Sequence, residues 1–194
     1  KGREGRKKKK KEEEEGEKEG EGRADQWGGW IGVGERHQAQ WLGRTHVLGF
    51  AKGLSKMIWF PGYSWPLPGE PYYNPAGLLR VDLTPRPAYV AYHTMASVLS
   101  WAKYEKTIVS PDNTHAVVFK TQDGYVTAMW SVDAESACRL ILGFKQQEER
   151  VSLVDIMGRT RKIDVGTQRK ISVDVSEDIV YVYSKSIPNI KKGF

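Results

Sequence analysis

The sequence predicts an α+β protein in which a helix–strand–helix segment precedes an antiparallel β-sandwich. Three observations lead there. Apolar residues between Glu35 and Lys52, and again after Thr84, recur at helical spacing. Between them lies "KMIWF" (Lys56–Phe60), apolar on both faces as a fully buried strand would be. From about Lys106 onward the period falls to two, and turn residues break the chain at short intervals.

The first helix carries Ala39, Leu42, Val47, Phe50 and Leu54 on its stripe, and Gly53 supplies a stop. In the second helix Thr84 is the expected N-cap, Pro85 the first helical residue, and Ala88, Tyr92, Met95, Ala96 and Leu99 the apolar stripe. This helix is expected to run to Trp101 and to seat the segment on the sandwich. The strand between the helices runs into a Pro-, Gly- and Tyr-rich loop, "PGYSWPLPGEPYYN". Tyr63 and Trp65 therefore leave a buried strand at its carboxyl end, where α/β folds hold their ligands. The competing expectation is that both rings pack under the long loop.

In the carboxyl-terminal part, "THAVVFKT", "YVTAMWSV", "CRLILGF", "RVSLVDIM", "RKIDV", "RKISVDV" and "IVYVYSK" read as short strands. Asp123-Gly124, Met157-Gly158 and Glu177-Asp178 supply turns between them. Seven or eight such strands make a sandwich. The closing "SIPNIKKGF" shows no pattern.

The 194 residues carry a net charge of +6, of which the first 23, with ten Lys/Arg and eight Glu, contribute only +2. That segment, "KGREGRKKKKKEEEEGEKEGEGR", holds no apolar side chain and is expected to be a disordered tail. A solvated tail without a role and a basic arm that touches phosphates are both compatible with it. The remaining charge is scattered, which argues against a nucleic-acid groove in the folded part. No apolar run reaches membrane-spanning length. The chain opens on Lys rather than Met, so a missing signal peptide carries no weight.

Several chemistries lack their residues. Cys138 is the single cysteine and reads as a small buried hydrophobe, so no internal disulfide forms. His37, His46, His93 and His115 show no paired metal spacing, and no cofactor motif is present. The glycines of "GGWIGVGERHQ" lack the Gly-Lys-Ser/Thr of a phosphate loop. Asp82 and Asp155 sit where turns are expected.

Three stretches together resemble one family. "GLLRVDLTPRPAYVAYHTMASVLS" (Gly77–Ser100) is similar to the last helix of a clan A glycoside hydrolase barrel, with its Pro-x-Pro-Ala-Tyr-x-Ala-Tyr entry. "ERHQAQWLGRTHVLGFAKGLSKMIWFPGYSW" (Glu35–Trp65) resembles the seventh helix and eighth strand. "VSLVDIMGRTRKIDV" and "ISVDVSEDIVYVYSK" resemble the small sandwich appended to such barrels. The resemblance implies three parts: the tail (1–23), the end of a (β/α)₈ barrel (24–104) and the sandwich (105–187).

It also implies a carbohydrate ligand, with Trp59, Tyr63, Trp65 and Glu70 as candidate sugar contacts and Tyr72 and Tyr73 nearby. Rings stack on the apolar faces of pyranoses. The family hydrolyses glycosidic bonds with two carboxylates, ~5 Å apart in retaining enzymes. Here the pattern departs. A barrel needs ~250 residues, and only about 60 stand between the tail and Thr84. If "ADQWGGW" matches the family's Glu-Trp-Gly pattern, Gln26 stands where the nucleophilic Glu would be, and an amide cannot attack; alternatively the true strand is lost and the tail is joined in its place. The implied state is a carboxyl-terminal fragment, inactive alone, exposing apolar surface that invites self-association. The alternative is a non-catalytic carbohydrate-binding or scaffold module.

Overall fold

A computed structural model describes residues 34–64, 76–109, 113–132, 138–145 and 150–193. Helix α1 spans Glu35–Ala51 and α2 spans Pro87–Leu99. Among the described residues nine strands follow: β1 (Lys103–Val109), β2 (Thr114–Lys120), β3 (Tyr125–Ser131), β4 (Cys138–Gly143), β5 (Arg150–Val154), β6 (Thr160–Asp164), β7 (Lys170–Val175), β8 (Val180–Ser184) and β9 (Asn189–Lys192). They form a six-stranded sheet in the order β1-β2-β3-β8-β5-β6 and a three-stranded sheet β7-β4-β9. Every pairing within the two sheets is antiparallel.

The large sheet is the middle of three layers. On one face Val117, Phe119, Val126, Ala128, Trp130 and Tyr181 pack against Ala39, Leu42 and Val47 of α1 and Ala88, Ala91, Met95 and Val98 of α2. On the other face Ala116, Met129, Leu153 and Val182 meet Leu140, Leu142, Ile171 and Val173 of the small sheet. This explains why "HAVVF" and "VTAMW" read as continuous apolar runs: β2 and β3 are covered on both sides. β7, covered on one side, alternates strictly between exposed and buried. The edge strands β6 and β9 carry Arg161, Lys162, Lys191 and Lys192, which discourage further strand addition.

α1 matches its expected span. It ends in a left-handed Gly53 (φ +89°), with the Leu54 N–H donating to Gly49 O at 3.0 Å. Leu54 lies beyond the helix and is exposed rather than on the stripe. α2 begins later than expected, with Arg86 as N-cap and Pro87 at the first turn. Thr84 is held instead in an Asx turn, where Asp82 Oδ1 accepts from its N–H at 3.0 Å and its hydroxyl at 2.6 Å. Pro85 bridges to Leu79. The helix stripe is turned relative to expectation: Ala91 and Val98 are buried and Ala96 is exposed.

Both helices, not α2 alone, seat on the sheet. Arg36 and Gln40 of α1 both donate to Asp178, at 3.0 and 2.7 Å, and Arg44 donates to Glu177 O. These contacts tie α1 to the β7–β8 turn.

Further sequence expectations fail. Lys56–Phe60 forms no strand. An apolar run becomes a strand only where another strand takes its N–H and C=O groups. The "SIPNIKKGF" segment, expected to be patternless, contains β9, which buries only Ile190. Cys138 is half-buried at the rim of the inter-sheet core rather than inside it. None of the described helices is long and apolar enough to cross a membrane.

Candidate functional site

The segment after α1 runs out to a junction with residues 76–80. Tyr63 makes a parallel bridge to Leu79. Leu78 and Leu79 N–H both donate to Gly62 O at 3.0 Å, and Ser64 N–H donates to Leu79 O at 2.8 Å. Gly77 is required here. A Cβ on it would lie 2.3 Å from both Ser64 N and Tyr63 C, so only a bare backbone fits.

Trp59 is half-buried on the helix-side core, and its indole N–H donates to Ala76 O at 3.0 Å. The Gln38 amide of α1 reaches the same carbonyl at 2.9 Å. Trp59 thus braces the junction. Tyr63 is 54% exposed, Ile58 88% and Phe60 79%. Trp65, Glu70, Tyr72, Tyr73 and Gln26 lie outside the described residues.

Beneath the junction lies a charged network that single-sequence reading missed. Glu35 accepts from Arg80 at 2.9 and 2.6 Å and stands 3.4 Å from Arg86. Arg80 also donates to Thr84 Oγ1 at 3.1 Å and Pro85 O at 3.0 Å. Arg86, only 13% exposed, donates to Ser64 Oγ at 3.2 Å. The hydrogen bond to Glu35 raises the Arg80 pKa, whereas burial lowers that of Arg86, with Glu35 opposing and Arg80 adding to the drop. Thr84 holds the Asp82 carboxyl below its ordinary range.

Glu35 is therefore shared by two guanidiniums, an arrangement suited to a counterion rather than an acid or nucleophile. The only hint of this network in the sequence is the pair of arginines flanking "VDLTP". Among the described residues no group of three or more His, Cys, Asp or Glu is placed to hold a metal ion.

Known structures bear on this arrangement. A family 39 glycoside hydrolase from the gut symbiont Bacteroides cellulosilyticus superposes with a TM-score of 0.66 at 21% identity, over 78% of this chain and 31% of that one. A family 30 endoxylanase from Clostridium papyrosolvens superposes at 0.55 and 13% identity, over 74% of this chain and 37% of that one. The chain resembles the carboxyl-terminal part of a clan A glycoside hydrolase. It spans about a third of the length of either enzyme. No family model and no curated protein matches the sequence.

Proposed function

We propose that the chain is the carboxyl-terminal part of a glycoside hydrolase-like protein that acts on carbohydrate, and that it has no activity alone. The observation that carries this reading is the pairing of two likenesses of unequal reach. Most of this chain superposes on glycoside hydrolases, yet it accounts for about a third of each. On this reading α1, residues 56–64 and α2 are the end of a (β/α)₈ barrel within residues 24–104. Residues 105–187 are the sandwich, and residues 1–23 a charged tail.

The exposed Ile58 and Phe60 support it, because an eighth barrel strand would be flanked on both sides. On this reading both catalytic carboxylates, the nucleophile included, belong to the missing strands. Tyr63, Trp65 and Glu70 would meet the sugar. Trp59, whose N–H is already committed, would serve as the brace behind them.

The test is to extend the reading frame upstream and assay both polypeptides on aryl glycosides. Only the longer one should turn over; an inactive long polypeptide that is well folded refutes the reading. A second reading, a non-catalytic carbohydrate-binding module, is favoured by the exposure of Tyr63. It requires saturable sugar binding by this chain that Tyr63→Ala or Trp65→Ala abolishes.

A further inference from the structure

A groove of about 680 Å³ runs between α2 and the β5–β6 hairpin, sharing no residue with the Tyr63 junction. Its volume is that of a ligand site. Its lining holds His93 and Ser97 from α2, Ser152 and Thr160 from the hairpin strands, and Tyr183 from β8, with Met157 at the turn. No Asp, Glu, Lys or Arg is among the lining residues.

The wall is built rather than loose. Asp155 Oδ1 accepts from the N–H groups of Met157 and Arg159, both at 2.9 Å, which locks the β5–β6 turn. Gly158 (φ +81°) brings that turn against α2, where a Cβ would come within 3.0 Å of Thr94 Oγ1. Tyr183 donates to Val98 O at 3.4 Å, so its ring is held across the groove floor.

Against this fixed frame, the side chains of His93, Ser97, Ser152 and Thr160 make no hydrogen bond among the described residues. Three hydroxyls and an imidazole with free capacity, set beside valines, a methionine and a tyrosine, suit a ligand that is polyhydroxylated, uncharged and apolar on its faces. We propose that this groove is a binding subsite for a neutral oligosaccharide, separate from the Tyr63 face. The proposal rests on the carbohydrate reading above and deepens it.

The test is calorimetric titration of the folded chain with xylohexaose and with cellohexaose. The variants are Ser97→Trp, which fills the groove from an exposed helix position, the pair Ser152→Ala and Thr160→Ala, and Tyr63→Ala. Thermal unfolding confirms that each is folded. The expected result is loss of binding in Ser97→Trp and roughly tenfold weakening in the double alanine variant. Added salt should change nothing, since no charge lines the groove. Binding that survives Ser97→Trp but is lost in Tyr63→Ala overturns the groove and leaves the carbohydrate reading intact. Absence of any binding to the wild type also overturns the groove. The carbohydrate reading then stands or falls on hydrolysis by the longer polypeptide.

Discussion

Gly77→Ala tests the geometry that places Tyr63. The new methyl would sit 2.3 Å from Ser64 N and from Tyr63 C, and 2.8 Å from Ser64 Oγ. Two of those three atoms are backbone, so no rotamer change relieves the overlap. Residues 76–79 must then draw away from 62–64, straining the bonds that join Leu78 and Leu79 to Gly62 O and Ser64 to Leu79 O. Overpacking of this kind costs about 1–3 kcal/mol, and weakened hydrogen bonds add about 1 kcal/mol each. A total of about 4–6 kcal/mol lowers Tm by roughly 8–24 °C in a chain of this size.

The assay is thermal unfolding, with hydrogen exchange at the amides of Ser64, Leu78 and Leu79 to separate local opening from global loss. Gly62→Ala is the control, because a Cβ there meets nothing within 4 Å. Wild-type Tm and wild-type protection in Gly77→Ala would refute the reasoning.

Other expectations follow from the same structure. Trp130→Ala empties a fully buried site on the helix-side face of the central sheet and should cost about 3–5 kcal/mol by denaturant titration. Glu35→Gln removes the shared counterion of Arg80 and Arg86; a loss of about 1–2 kcal/mol is expected, reduced in high salt. His115 stacks on Trp130 at 4.9 Å, and burial, aided by Arg44, lowers its pKa. The unfolded chain then binds the extra proton more readily, so stability is full above the unfolded histidine value of about 6.5 and falls as pH drops through it. His115→Gln should flatten that part of the pH–stability curve. Ile58→Ser with Phe60→Ser should reduce any self-association seen by sedimentation, since both side chains stand in solvent.

What the sequence could reveal tracked local pattern. α1 was legible because its stripe and its terminal glycine agree. The sandwich was legible because β4 and β7 alternate and the breaks between strands carry turn residues. α2 was placed too early because Thr84-Pro85 is a good helix start in isolation. The Asp82 carboxylate captures Thr84 first, and helix entry passes to Arg86-Pro87. β9 was missed because an edge strand with one buried side chain has no period to read. The double coverage of the large sheet was hidden for another reason. It depends on helices and a second sheet meeting opposite faces, which no window of sequence contains. The Glu35–Arg80 pair joins residues 45 apart, so pattern gave no warning of it. Lys56–Phe60 reads as a buried strand, yet Ile58 and Phe60 are exposed; on the reading proposed here, its neighbouring strands lie outside the chain.

The most direct test of the central claim is hydrolysis of a panel of aryl glycosides by the purified chain, beside a Glu70→Gln variant. The account predicts no turnover by either. Turnover by the chain that Glu70→Gln abolishes would contradict it, and would place a catalytic carboxylate within the sequence held here to lack one.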